Sequence, residues 1–556
     1  MSPTYGFPLV VLLCALVLAR PGRLPARVAL AARSPLAPWA VAAATFALLA
    51  WVWGGLRPWA VVHDEAAYLL QARIFAHGHW TGPHPPIPEF FEQFHVLVEP
   101  RLAGKYPPGH SLLLVPGVWL GVPGLVPLLL DALAGALLFV LARRALGAGA
   151  ALLAWAVWIT ARGTDTALAS YFSETTTTAL WLAGWWLVLR WRERRGAGTL
   201  ILLTALVAWG GITRPLTMFA YMLPVAAVLA PPLLRERRWR QIGVAAAAGL
   251  AICAIVPLWS ARTAGSWRTN PYREYSRIYF PFDHPGFGPD PSPPLRPLQP
   301  EMREYYADNS RYRAAHLPER LPGTLLLRAR MALRGVFCQG PYGVCGWRGW
   351  LVPLAVIGVV AAPAPLWFAI GTALLLFFSY AGFYHKAEWA LYYTEALPVV
   401  GAVAACGARL AAGALARRAA GTARGWRLRR DAVLAAAAVC VLAFSARPLT
   451  LLRQMNSARA AYFRDFARRA DAIPEPRAMV FVRYAPRHIY HNSLIENAPD
   501  WRTARVWVVR DRGADNARLM RADPRRAAYL YDESAKRMLR IDPAHPSPAS
   551  TPIPPR

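Results

Sequence analysis

Residues 111–144 read SLLLVPGVWLGVPGLVPLLLDALAGALLFVLARR. Through Leu141 this stretch is apolar for longer than the roughly 20 residues a helix needs to cross a bilayer, and Arg143-Arg144 closes it. Its length predicts a bend or an interfacial piece near Pro116. The same pairing of apolar run and arginine cluster recurs along the chain. Apolar runs fall at 7–19, 36–54, 111–141, 146–160, 174–189, 199–213, 217–230, 242–260, 350–363, 366–380, 392–411 and 431–446. Linkers after alternate runs hold Arg20, Arg23, Arg27 and Arg33, then Arg143 and Arg144, then Arg190, Arg192, Arg194 and Arg195. Arg235, Arg237, Arg238 and Arg240 follow, and finally the run from Arg417 to Arg430. Short Arg-rich loops mark the cytoplasmic side. The expectation is a polytopic α-helical membrane protein with about 12 transmembrane helices. Both termini lie outside, as do three long polar segments, 55–110, 261–349 and 447–556.

Composition agrees. Of 556 residues, 56% are hydrophobic and only 17% charged, where soluble domains carry roughly 25% charged residues. A large soluble protein would have too little polar sequence to cover so much apolar surface. The formal net charge of +31 is then mostly a topology signal, and no nucleic-acid partner is expected. Arginines in the external C-terminal part favour anionic membrane lipids. The 23 Trp and 50 Pro fit interfacial anchors and rigid external loops. Run 7–19 reads as a retained first helix and not a cleaved signal, because MSPTYG carries no positive charge and the arginines begin at Arg20. Cys14, Cys253, Cys406 and Cys440 lie in apolar runs. Cys338 and Cys345 frame FCQGPYGVCGW in an external segment and are a candidate local disulfide in an oxidising compartment. Their spacing is not that of a zinc site.

The domain expectation is a membrane part at 1–446 with external loops 55–110 and 261–349, a small external α/β domain at 447–540, and a disordered tail at 541–556. The first loop predicts a short helix around Glu65–Ala76, a Pro-rich stretch and re-entry after LAGKYPPGH. The loop at 261–349, rich in Tyr, Arg and Pro, predicts short helices packed over the membrane part. In the C-terminal segment, AMVFVRYA (478–485), ARVWVVRD (504–511) and AAYLYD (527–532) read as short strands.

Polar residues at the external mouths of the runs are the candidates for chemistry. His63-Asp64-Glu65 stands just outside the second run. Adjacent carboxylates suit a general base, a metal or a cationic substrate, while Asp64 is equally a natural cap for the AAYLLQARIF helix. Lys105, before the rigid Tyr106-Pro107-Pro108-Gly109 turn, suits a phosphate or a snorkelling interfacial position. Arg214, in Gly211-Ile212-Thr213-Arg214-Pro215, lies opposite the topology arginines, for phosphate binding or a structural carboxylate pair. Asp165 and Glu174 share a short external connection, and either could face Asp64. Glu174 is also a plain first-turn acid. His385, Lys386, Tyr393 and Glu395 cluster at one membrane edge as a substrate-facing rim.

Asp64-Glu65 in the first large loop and Lys105-Tyr106-Pro107-Pro108-Gly109 before re-entry resemble the GT-C superfamily of polytopic glycosyltransferases. The protein mannosyltransferase and aminoarabinose transferase branch is the most similar. Gly211-Ile212-Thr213-Arg214-Pro215 and Tyr393-Thr394-Glu395-Ala396-Leu397-Pro398 are looser matches, and the resemblance spans roughly 36–411. It implies a polyprenyl-phosphate-sugar donor and inverting transfer to a lipid, glycan or protein acceptor on the periplasmic face of a bacterial inner membrane. Asp64 would be the base, Glu65 would position the acceptor or base, and Lys105 and Arg214 would hold the donor phosphate. His63, Tyr106, Asp165, Glu174, His385, Lys386, Tyr393 and Glu395 would bind substrate or supply a second acid. Some members use a divalent metal ion and others do not, so no ligand set is assigned. The alternatives are a transporter or flippase for lipid-linked glycans, which an inverted repeat would favour, and a ligase or polymerase of such glycans.

Overall fold

The structure is a computed structural model and describes residues 13–14, 16–17, 23–338, 346–419 and 423–544. Most of the expected run 7–19, Cys345 and the tail from 545 onward lie outside the described residues. Among the described residues, five helices are long and apolar enough to cross a membrane: Leu125–Leu146, Pro215–Arg235, Trp239–Ala264, Ala390–Arg418 and Gly425–Asp471. A sixth results if Arg348–Val360 and Ala364–Ser379, bent by 113°, count as one span. The chain is thus a multi-pass α-helical membrane protein, but the expected about 12 full-length spans are an overcount.

The reason is that an apolar run is one helix only where nothing interrupts it. Run 111–141 breaks into Gly109–Trp119 and Leu125–Leu146. The break falls at Gly121, whose φ is 67°, and Pro123, not at Pro116, which stays inside its helix. Pro363 likewise separates the bent pair, since the residue before proline is driven out of helical geometry. Other apolar helices are short. Ala148–Ile159 has 12 residues, ~18 Å, against a hydrocarbon core of ~30 Å. All but one of its side chains are buried, so it is an inner helix surrounded by longer ones.

The arginine-bearing linkers gather at one end of the bundle. Arg33 pairs with Asp431 at 2.7 Å, Arg143 donates to the Ser34 carbonyl at 2.9 Å, Arg144 pairs with Glu193, and Arg195 pairs with Glu236 at 2.9 Å. The polar segments collect at the other end. Helices 351–360 and 397–419 cross by backbone contact. A Cβ on Gly358 would run into the Val403 carbonyl, and one on Gly407 into the Leu354 carbonyl.

A single helix, Ala423–Asp471, leaves the bundle and becomes the first layer of the C-terminal unit, so position 446/447 falls inside it. The sheet behind it has order β4-β3-β5-β6, with β3 (Ala478–Arg483), β4 (Val506–Arg510), β5 (Ala527–Asp532) and β6 (Arg537–Ile541). β3 is parallel to β4 and β5, and β6 returns antiparallel. The first three strands match the expected runs. β6, with polar Arg537 and Arg540, offers no apolar signal and was not anticipated. Alternation along β3 explains its unbroken apolar sequence. Val480 and Val482 pack on Phe463 and Phe466 of the long helix, while Met479 and Phe481 pack on Phe90, Phe91 and Val96 of the first external loop. The α/β unit therefore clamps that loop. Within the loop, β1 (Val96–Leu97) and β2 (Ala103–Gly104) form a hairpin, and the Lys105 N–H donates to the His95 carbonyl at 2.9 Å. The hairpin thereby sets His95 and Lys105 side by side.

Gly407→Leu is expected to separate the two crossing helices and lower stability by ~1–3 kcal/mol. Thermal unfolding of the detergent-solubilised protein measures this, and an unchanged midpoint would mean that the crossing is not close-packed.

Candidate active site

The His63–Ala76 helix begins after extended Val62, and its first turn carries both acids. Asp64 is not the cap; it lies inside the helix. Glu65 does the capping work, accepting the Val61 and Val62 N–H groups at 2.9 and 3.1 Å through one oxygen and the Tyr171 N–H at 2.9 Å through the other. Burial pushes its carboxyl up to about 7, against the pull of these three donors. Glu65 is 1% exposed. It holds the helix start to the loop before Glu174–Arg194 and does not line the cavity described next.

That cavity, about 420 Å³, is lined by Asp64, His63, His95, Lys105, Arg214 and Asp283 among others. Asp64 faces it with 29% of its side chain exposed. One carboxylate oxygen accepts the Tyr106 hydroxyl and lies 3.6 Å from His95 Nε2, and the other lies 2.9 Å from His63 Nδ1. Burial pushes the Asp64 carboxyl up, but His95 and His63 and the hydrogen bonds from His63 and Tyr106 hold it well below the usual carboxylate range. Asp64 is therefore ionised. Burial and the nearby Lys105 charge push the His95 imidazole well down. His95 sits at φ 63°, a left-handed conformation rare for a side-chain-bearing residue. Its N–H donates to the Tyr275 hydroxyl at 2.8 Å.

His63 is packed between Phe94 (centroids 4.5 Å, 16°) and His491 of the C-terminal unit (4.7 Å, 29°). His491 Nδ1 lies 2.9 Å from His63 Nε2. A proton on His63 Nδ1, facing the carboxylate, would leave Nε2 to accept from His491 Nδ1.

Both cations in the cavity are already paired. Lys105, 2% exposed, meets Asp283 at 3.0 Å and lies over the Tyr272 ring at 4.2 Å, while Tyr272 donates its hydroxyl to the same carboxylate at 3.0 Å. Arg214 pairs with Glu174 and lies 3.8 Å from Glu395, which in turn accepts the Thr177 hydroxyl. Arg214 also reaches the Tyr380 hydroxyl at 3.3 Å.

His63, Asp64 and His95 each offer one ligand atom within 4.8 Å of the others. His95 Nδ1 is buried and closes no hydrogen bond with another described residue. Two imidazoles and one carboxylate suit a divalent zinc- or manganese-type ion better than magnesium or calcium, so the residues present are compatible with such an ion.

The architecture has counterparts among solved structures. ArnT from Cupriavidus metallidurans bound to undecaprenyl phosphate aligns over 90% of this chain and 91% of its own, at 16% identity and a TM-score of 0.52. The apo state of the same protein aligns over 89% and 93%, at 16% identity and a TM-score of 0.50. The chain shares the fold of this protein. No protein-family model matches the chain, and no curated protein sequence does.

The cavity brings together His63, Asp64, Lys105, Tyr106, Glu174 and Arg214 from the residues singled out in the sequence. Glu395 lies behind Arg214, fully buried. His385, Lys386 and Tyr393 do not line the cavity: His385 bonds Tyr393 at 2.9 Å and Lys386 pairs with Asp308. Asp165 falls on the Arg162–Leu168 helix, its side chain outside the described residues. Cys338 is buried and disulfide-bonded. The sequence reading missed His95, Asp283 and His491. A carboxylate just after an aromatic-proline stretch, Asp283 in FPFDHP, is the one local signal any of them carries.

Glu65→Gln keeps the volume but turns one acceptor into a donor facing a backbone N–H. It is expected to lower the stability of the solubilised protein by ~1–3 kcal/mol, read from thermal unfolding.

Proposed function

We propose that this protein is an inverting glycosyltransferase of a bacterial cytoplasmic membrane. It would move a sugar from a polyprenyl-phosphate donor to a lipid, glycan or protein acceptor on the external, periplasmic face. The carrying observation is an ionised, partly exposed Asp64 in the same cavity as Lys105 and Arg214, at the end of the bundle opposite the arginine-bearing linkers. The ArnT structure with the shared fold holds undecaprenyl phosphate, the kind of lipid phosphate such a donor releases.

The chemistry follows from the groups present. The acceptor hydroxyl oxygen attacks the anomeric carbon and its proton passes to Asp64. The bond from that carbon to the phosphate oxygen breaks, and the electron pair leaves on the lipid phosphate. Lys105 and Arg214 stabilise that developing charge. Asp283, Glu174 and Glu395 hold the two cations in place before the donor arrives, so little ordering is needed on binding. Tyr106 and His63 fix the carboxylate, and His491 fixes His63. A divalent ion held by His63, Asp64 and His95 would add positive charge for the leaving phosphate.

Asp64→Asn is expected to reduce sugar transfer by reconstituted protein by ~100-fold or more while polyprenyl-phosphate-sugar binding persists; turnover at the wild-type rate would exclude Asp64 as the base. The amide nitrogen of Asn occupies about the position of a histidine Nδ1, and that of Gln the position of Nε2. His491→Asn should therefore keep most of the transfer rate, whereas His491→Gln and His491→Ala should lose ~10-fold or more at unchanged melting temperature. Equal loss in all three would assign His491 a packing role only.

A further inference from the structure

A second cavity, about 300 Å³, lies where the linker bearing Trp59, the His63–Ala76 helix and the C-terminal unit meet. This volume is within the range of small-ligand sites, ~300–1,000 Å³. Its walls combine the rings of Trp59, Phe463 and Phe466 with the charged side chains of Arg73 and Glu496, while a third charged group, the exposed Asp471 at the edge, is already met by Arg505 at 3.8 Å. Burial pushes the Glu496 carboxyl up and the Arg73 charge pulls it back, but the two are too far apart to bridge, and neither side chain forms an ion pair or hydrogen bond with another described residue. Two polar groups of opposite sign are thus left unspent beside aromatic carbon.

This combination selects its ligand by exclusion. An anion would meet Glu496 and a cation would meet Arg73. An acyl chain would leave both charged groups desolvated without partners, which costs several kcal/mol. A neutral polyhydroxylated ring fits every wall. Its hydroxyls donate to the carboxylate and accept from the guanidinium, and its C–H edges meet the rings.

We infer that this cavity is a saccharide-binding site, formed jointly by the membrane part and the C-terminal unit, for a neutral sugar of the acceptor. A water-sized space of about 10 Å³ separates it from the main cavity. His63 and His491 line both that space and the main cavity, and Phe463, Ser493 and Glu496 line both it and the second cavity. Arg73 follows Asp64 by nine residues on one helix, roughly 13 Å along its axis. The second site therefore holds a sugar beside the transfer site without occupying it. The acceptor role rests on the glycosyltransferase reading, whereas saccharide binding itself does not.

The test is retention of the fluorescently labelled, detergent-solubilised full chain on a panel of immobilised mannans, glucans, N-acetylhexosamine oligomers and lipopolysaccharide core saccharides. Wild type and Asp64→Asn should bind the same saccharide class. Glu496→Ala and Arg73→Ala should lose it by tenfold or more, with melting temperatures showing that they fold. Glu496→Gln, which keeps an acceptor oxygen, should bind in between. The inference is overturned if no saccharide is retained, or if Glu496→Ala and Arg73→Ala bind as the wild type does. Saccharide binding without any sugar transfer by the wild type would instead count against the glycosyltransferase reading and leave this site standing.

Discussion

Three backbone N–H groups end on the buried carboxylate of Glu65, and the geometry of the cavity depends on that convergence. Two of them start the helix that carries Asp64, and the third belongs to Tyr171, in the loop leading to Glu174. One side chain therefore ties the carboxylate that faces the cavity to the loop leading to the carboxylate that holds Arg214. The surrounding polar groups are committed to the same junction. Tyr68 donates to Ser173 at 3.0 Å, Ser111 donates to the Tyr68 carbonyl at 3.0 Å, and His110 lies 2.8 Å from both the Tyr171 carbonyl and the Thr176 hydroxyl. In a low-dielectric setting such a network is costly to break at any one member, because the remaining groups stay buried without partners. This is why a residue with no access to the cavity is as important to it as those that line it.

Electrostatic economy is the second organising constraint. Lys105 and Arg214 enter the cavity with their charges already matched by Asp283, Glu174 and Glu395. An unpaired cation this deeply buried would be expensive, so pairing lets the two positive groups persist at the wall of the cavity. The histidines meet the same constraint in another way: His95 is held neutral beside Lys105, and His63 is held by ring packing and by His491.

The C-terminal unit belongs to the site and is not an appendage. Its sheet clamps the first external loop on one face and the long exit helix on the other. The loop after β3 then supplies His491 to the main cavity and Glu496 to the second. A domain that positions side chains in two neighbouring cavities couples the membrane bundle to whatever is recognised outside it.

Local patterns along the chain determined much of this: the membrane class, the arginine-marked end, the helix carrying Asp64, the strands β3, β4 and β5, and the candidacy of Lys105, Tyr106, Glu174 and Arg214. These follow from run length, period and charge, which a sequence carries within a few tens of residues. Helix breaks were less legible, because an apolar run looks the same whether it crosses a membrane in one piece or folds at Gly121 and Pro363. The partners were decided by tertiary structure alone. His63 and His491 are 428 residues apart and Lys105 and Asp283 are 178 apart. Glu65, equal to Asp64 on paper, was separated from it only when one carboxylate turned toward the cavity and the other toward buried backbone. Pairing at such separations depends on how whole elements pack, and no short pattern encodes it.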